Sequence, residues 1–191
     1  MLDVSRKLEK FTTSSPRISR NVRGGVYRSR FLRDLCLSDE VSLFLSDIAG
    51  ISLSPHTIPH QLGHINFNPL ELEKNVDKWH VDTLTFDYVL FVTDPKKNDG
   101  GEFQYLKDFR NADKNEMNFE GVDKLLTGSI APRILTMKPG TLVLFRGRNS
   151  IHRVTPTIGD TKRILVVLAY NSEPRIALSE SARKTFYGRL S

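Results

Sequence analysis

"RILTMKPGTLVLFRGRNSIHRVTPTIGDTKRILVVLAY", residues 133–170, decides how the rest of the chain reads. Four short runs lie within it, RILTM, GTLVLF, SIHRV and KRILVVLAY. Each is dominated by aliphatic and β-branched residues and bounded by turn formers, the composition of short strands. Pro139-Gly140 suits the central positions of a type II turn, since proline presets the first φ and glycine accepts the positive second one. Gly159-Asp160 marks a further turn. Strands so short and so closely spaced build an antiparallel sandwich or jelly roll, because parallel neighbours would need a helix-length crossover between them.

The pattern extends upstream. HINFN (64–68) alternates polar and apolar residues, and TFDYVLFV (85–92) and EFQYL (102–106) follow as strands. Between those two, DPKKNDGG (94–101) reads as a hairpin-type turn. Residues 108–128 form a polar insertion of loop and helix. Ahead of the strands, Ser38 is a helix N-cap with Asp39 and Glu40 in the first turn. Val41, Phe44, Leu45 and Ile48 make the apolar stripe of that helix and Gly50 caps its end. Residues 1–37 are Arg-rich and irregular, and 179–187 form a last short helix ending at Gly188. The expected organisation is one domain, mainly β. Residues 1–57 give helical and irregular support, 58–172 the strand core, and 173–191 a helical tail.

Composition bounds the function. A chain of 191 residues is long enough to bury about 70% of its unfolded surface. With 39% hydrophobic and 26% charged residues it is globular rather than disordered. The single cysteine, Cys36, excludes an internal disulfide and reads as a small core residue. The longest apolar run, ILVVLAY (164–170), falls far short of the ~20 residues of a membrane span. MLDVSRKLEKF at the N-terminus lacks the apolar core of a signal peptide, so the expected location is cytoplasmic. The net charge of +6 is scattered and forms no dense basic block, so a solvated surface is expected rather than a nucleic-acid face.

The chemistry sits at His80-Val81-Asp82 and His152. Extended backbone would turn His80 and Asp82 to one face with Cα atoms ~6.5 Å apart, within reach of one ion. His152, inside a strand pattern, needs a partner there. Two histidines and one carboxylate on one face of an octahedron form the facial triad of non-haem Fe(II) oxygenases. His56, His60 and His64 form a competing cluster, but Pro55 and Pro59 break the helix that His56 and His60 would need to share a ligand face. If Gly159-Asp160 closes a two-residue hairpin, Arg163 faces Pro156 and lies on the His152 side, ~13 Å along the ladder. Arginine there offers two parallel donors to a carboxylate.

WHVD (79–82), DGGEFQY (99–105), PGTLVLFRGRNSIHRV (139–154) and KRILVVLAYNSEP (162–174) together resemble the iron(II)/2-oxoglutarate-dependent oxygenases. They are most similar to the branch that contains the free-amino-acid radical halogenases and their hydroxylase relatives. The resemblance runs from about residue 64 to 190 and implies a double-stranded β-helix, cupin-like, with flanking N-terminal and C-terminal helices. It implies that His80, Asp82 and His152 hold Fe(II). It also implies that Arg163 holds the far carboxylate of 2-oxoglutarate, and that O2 is the second co-substrate. Halogenases carry glycine where this chain has Asp82, so the resemblance implies hydroxylation, with release of succinate and CO2. The expected substrate is a small molecule, an amino acid or a close derivative.

Further candidates come from strand faces. His64, Asn66 and Asn68 share one face and would contact 2-oxoglutarate if it points inward. Arg146 and Arg148 share the face of His152 while the strand stays regular, and with Thr83 are candidate substrate contacts. Thr85 and Asp87 lie near the same strand without anything to rank them. Trp79 and Phe86 read as packing residues. Two alternatives stand beside this reading. One is an oxygenase acting on nucleic acid or protein side chains, and the other is a non-catalytic cupin-like metal-binding domain.

Overall fold

Among the described residues, alternating apolar residues build two main antiparallel sheets whose facing sides enclose the candidate metal ligands, beside a separate two-stranded one. The computed structural model describes all residues except 16–17, 71–74, 85, 94–99, 107–109, 112–115, 118, 159–162 and 173–191. The helical tail expected at 173–191 therefore lies outside the described residues. The strands are β1 (Arg20–Val22), β2 (Ser54–Pro55), β3 (His64–Phe67), β4 (Asn75–His80), β5 (Phe86–Phe91) and β6 (Phe103–Tyr105). They continue with β7 (Arg110–Asn111), β8 (Glu116–Met117), β9 (Arg133–Leu135), β10 (Leu142–Phe145), β11 (His152–Pro156) and β12 (Ile164–Asn171). The larger sheet runs β1-β3-β12-β5-β10, with β2 also on β12, and the smaller runs β4-β11-β6-β9. From β3 to β6 and again from β9 to β12, successive strands alternate between the two main sheets, as in a jelly roll.

The outer face of the larger sheet carries the main core. Ile65, Phe67, Phe86, Tyr88, Ile164, Val166, Leu168 and Tyr170 pack there against Leu8, Leu32, Cys36 and Leu45. The last four come from α1 (Leu2–Leu8), α2 (Arg30–Leu37) and α3 (Asp39–Ala49). Each fully buried aliphatic side chain of this set contributes about 1.5–3 kcal/mol. Residues 1–37, expected to be irregular, thus hold two helices and an edge strand. Ser29 Oγ caps α2 by accepting the Leu32 N–H. Within the 108–128 insertion, α4 (Phe119–Leu126) places Val122 and Leu125 against Trp79, Leu106 and Ile151.

Several turn and cap expectations hold. Ser38 Oγ accepts the Val41 N–H at 3.2 Å, and Gly50 closes α3 at φ 67°. Gly140 has φ 83° and Thr141 N–H donates to Lys138 O at 3.1 Å, as a type II turn requires. The apolar stripe of α3 is a correction. Phe44 and Ile48 are exposed, and the buried positions are Ser42 and Leu45. Ser42 Oγ and Ser46 Oγ donate to carbonyls one turn back, and Ser46 Oγ accepts the Leu53 N–H. Small polar residues let the chain leading into β2 pass close to the helix there.

Two hairpins expected from turn residues do not form. β5 and β6 belong to different sheets, and so do β11 and β12. β11 pairs with β4 and β6 while β12 pairs with β3, β5 and β2, so Arg163 does not face Pro156 across a ladder. In a jelly roll such turns carry the chain from one sheet to the other, with the same residue alternation a hairpin would show. Trp79 and Phe86 pack as expected.

Burial drives the Cys36 thiol pKa up to about 12. The prediction is that Cys36 in the native protein does not react with a disulfide reagent at pH 8 and reacts at once in denaturant. Labelling kinetics with and without guanidinium check this.

Candidate metal centre

His80 ends β4 and His152 begins β11, where the two are cross-strand partners. Asp82 lies just past the end of β4, on the crossing to β5, and its N–H donates to Gly147 O at 3.1 Å. His80 Nε2 is 3.3 Å from Asp82 Oδ1, and His152 Nε2 is 3.3 Å from Asp82 Oδ2. Ligand atoms of all three residues lie within 4.8 Å of one another. Among the described residues this is the group that could hold a metal ion, and His56, His60 and His64 form no such group.

Hydrogen bonding fixes the state of both rings. His80 Nδ1–H donates to Lys78 O at 2.6 Å, and His152 Nδ1–H donates to Ser150 O at 3.0 Å. A carbonyl only accepts, so each Nδ1 carries the hydrogen and each Nε2 of a neutral ring presents a lone pair. With neutral rings, two imidazole lone pairs and a carboxylate converge and suit a divalent cation; without one, a proton on Nε2 lets a ring donate to Asp82 instead. Such backbone anchoring of the remote nitrogen is what orients histidine ligands in metal sites. Phe103 stacks on His152 at 5.4 Å and Phe145 meets it edge-on at 4.6 Å, which keeps that side of the centre apolar. Burial raises the Asp82 carboxyl, but hydrogen bonds and charge from His152 and His80 outweigh it and hold the group well below the usual carboxylate range.

Two residues that position the centre went unflagged in the sequence. A Cβ at Gly147 would overlap the Asp82 carboxylate and Cβ. Gly147→Ala is therefore expected to displace Asp82 and weaken divalent metal binding at least tenfold, in the range of lost supporting contacts at metal sites. Co(II) titration followed by visible absorption checks it. Asp77 is the second. The ladder shifts register between the His152–His80 and Val154–Asp77 pairs, so a bulge brings Asp77 and His80 to one face. Asp77 Oδ1 then lies 3.5 Å from His80 Nδ1. Nothing in a period-two reading would find it.

Among the described residues Arg163 is the most deeply buried charged one, at 1% exposure. Its Nε donates to Gly101 O at 2.8 Å, while Nη1 and Nη2 have no hydrogen-bond partner among the described residues. Burial lowers its pKa to about 10, with the Asp77 charge acting in the opposite direction, so it stays cationic at neutral pH. Gly101, from the DGGEFQY stretch, has φ 67°, and a Cβ there would come within 2.9 Å of Arg163 Cδ. That close approach explains the glycine.

The weaker candidates divide. His64 and Asn66 are buried on the inner face of β3, opposite Ile65 and Phe67, so that face does point inward. Asn68 Oδ1 instead accepts the Arg163 N–H at 3.0 Å and braces the start of β12. Arg146 and Arg148 do not continue the strand of His152, because a 3₁₀ turn at Gly147–Asn149 intervenes. Arg146 is exposed with its guanidinium 5.6 Å from the Phe86 ring centroid, and Arg148 is half-buried. Thr83 is half-buried in the bend that follows Asp82. His56 is buried and His60 exposed.

A family model described as Halogenase D matches residues 3–186. No curated protein sequence matches the chain. Among solved structures, the non-haem α-ketoglutarate-dependent epimerase SnoN from nogalamycin biosynthesis is similar with a TM-score of 0.62 at 13% identity, over 90% of this chain and 70% of that one. HygX from Streptomyces hygroscopicus, with nickel, 2-oxoglutarate and hygromycin B bound, gives 0.59 at 12% identity, over 90% and 79%. A 2OG-Fe(II) oxygenase-family oxidoreductase from Burkholderia pseudomallei gives 0.51 at 16% identity; 75% of this chain is covered, and it spans only 56% of that protein. At these identities the likeness is one of fold, the double-stranded β-helix. The family match spans nearly the whole chain, and the chain belongs to the halogenase D family.

Proposed function

We propose that the chain is an Fe(II)/2-oxoglutarate-dependent dioxygenase that hydroxylates an unactivated C–H bond of a small molecule, an amino acid or close derivative. The observation that carries this is Arg163. A buried guanidinium whose Nη1 and Nη2 find no hydrogen-bond partner among the described residues costs stability unless a ligand completes it, and Asp77 links it to the triad by lying against His80. Two parallel donors match a carboxylate. The chain therefore offers a divalent-cation site and a dicarboxylate anchor within one sandwich, and HygX, of the same fold, holds nickel and 2-oxoglutarate.

Each residue has a role in this reading. His80, Asp82 and His152 would hold Fe(II) through two imidazole nitrogens and one carboxylate oxygen. Arg163 takes the far carboxylate of 2-oxoglutarate, while His64 and Asn66 on the inner face of β3 bound the same space. Thr83 and Arg148 line the approach from the Gly147 side as substrate contacts, whereas Arg146, over the Phe86 ring on the helix side, does not. The bound metal, with 2-oxoglutarate and O2, supplies the oxidising power for C–H hydroxylation with release of succinate and CO2. Phe103 and Phe145 keep water from the His152 side, which protects a reactive centre. The whole chain acts as one oxygenase unit.

Asp82 decides between reactions within a halogenase-named family. Its carboxylate fills the third protein ligand position and repels an anion, so oxygen rather than halide is transferred. The test is oxygen-dependent succinate release over an amino-acid panel in chloride buffer, with product mass. A product heavier by one oxygen atom is expected. A chlorinated product would overturn the role given to Asp82, and turnover of nucleic acid or protein instead would overturn the substrate class.

A further inference from the structure

The bulge in β4 lies directly beside both candidate histidine ligands. Between the His152–His80 and Val154–Asp77 pairs, β11 contributes one residue, Arg153, and β4 contributes two, Lys78 and Trp79. That two-against-one count is a β-bulge, a device that re-aims a side chain. The carbonyl that accepts the His80 Nδ1–H at 2.6 Å belongs to Lys78, one of the two bulge residues. The orientation of the His80 ring therefore follows the shape of the bulge.

An extra residue interrupts the ladder locally, so side chains have to hold that shape. His152 and Val154 are buried on the inner side of β11, which turns Arg153 to the outer side. Trp79 is on that side too, packed with Leu106, Leu125 and Ile151 beneath α4. The Arg153 guanidinium lies 4.6 Å from the centroid of the Trp79 ring. Its Nε donates to Oε1 of Gln104, its ladder partner on β6, at 2.9 Å. Gln104 is buried, and its Nε2 donates to Glu102 Oε2 at 2.8 Å. One side chain thus bridges both strands that flank β11, immediately behind His152. Lysine could place a cation over the indole, but it has no second donor to reach the amide while the head lies on the ring.

We propose that Arg153 is a positioning residue for the metal centre. By stacking on Trp79 and bonding Gln104 it fixes the bulge, and through Lys78 O it fixes the aim of His80. The assignment rests on the metal-centre reading for its use, and it deepens that reading by naming what sets the angle of one ligand.

The experiment compares wild type, Arg153→Lys, Arg153→Met, Trp79→Leu and the double variant Trp79→Leu/Arg153→Met. In metal-free protein, imidazole N–H resonances report the bond from His80 to Lys78, the His80 signal being the one lost in His80→Gln. Co(II) titration gives affinity, and the band positions of the visible spectrum give ligand geometry. Circular dichroism and thermal melting follow the fold. Wild type is expected to show a His80 N–H protected from exchange. In Arg153→Met and Trp79→Leu that signal should be lost to exchange and the Co(II) bands should shift. Affinity should fall about tenfold or more, the scale of lost supporting contacts at metal sites. Arg153→Lys, which keeps the cation over the ring, should lie between. The double variant should lose less than the sum of the two singles, as members of one contact do. An unchanged His80 signal with unchanged Co(II) bands in Arg153→Met overturns the proposal. A lower melting temperature with both readouts intact overturns it equally, because Arg153 then only stabilises the sheet. If Arg153→Met does not fold, Arg153→Lys decides, and wild-type values there overturn the proposal. Failure of Co(II) to bind wild type, with the His80 signal still dependent on Arg153, would instead sink the metal-centre reading and leave the positioning role standing.

Discussion

Replacing Asp82 with alanine is expected to lower divalent metal affinity by about 100-fold or more, the scale of breaking a buried charge pairing. Asp82 is the sole anion of the triad, and each of its oxygens faces one imidazole at 3.3 Å. Without it, two neutral rings remain and no anion balances the metal. The loop itself should hold its course, because the bond that fixes it runs from the Asp82 backbone N–H to Gly147 O and survives the substitution. Asp82→Glu is not a rescue, since the added methylene would press on the Gly147 backbone, where even a Cβ does not fit. Competition titration with Co(II) measures the loss, and circular dichroism verifies that the fold is kept. Wild-type affinity in Asp82→Ala would remove Asp82 from the ligand set.

Arg163→Lys is expected to weaken 2-oxoglutarate binding about 30-fold or more while leaving Co(II) affinity unchanged. Lysine keeps the charge opposite Asp77 but gives up the planar fork and the Nε donor to Gly101 O. The two Nη donors that have no partner among the described residues are the ones a carboxylate would take. Calorimetric titration of 2-oxoglutarate into the Co(II)-loaded protein separates the two effects. A parallel loss of metal affinity would show that Arg163 supports the fold of the centre instead of binding the co-substrate.

The candidate ligands were legible because the His80-Val81-Asp82 triplet, weak alone, gained weight from the strand-borne His152 downstream, and the fold brings the three side chains together. Arg163 was legible too, but the hairpin that seemed to place it does not exist. Arg163 instead stands at the start of β12 in the larger sheet, braced by Asn68 and Gly101. Alternation of side chains is the same for a hairpin and for a crossing between sheets, so the sequence could not separate them. Asp77 was hidden by the bulge that changes the face parity of β4. Gly147 and Gly101 act through close approach of backbone to side chain, which no periodicity encodes.

The central claim is that one sandwich holds Fe(II) and 2-oxoglutarate together through His80, Asp82, His152 and Arg163. Anaerobic addition of Fe(II) and 2-oxoglutarate to the purified protein tests it directly, by visible absorption. A weak metal-to-ligand charge-transfer band is expected in wild type, absent in Asp82→Ala and His152→Ala. In Arg163→Lys the band should appear only at much higher 2-oxoglutarate. Folded wild-type protein that gives no band at saturating Fe(II) and 2-oxoglutarate would contradict the account.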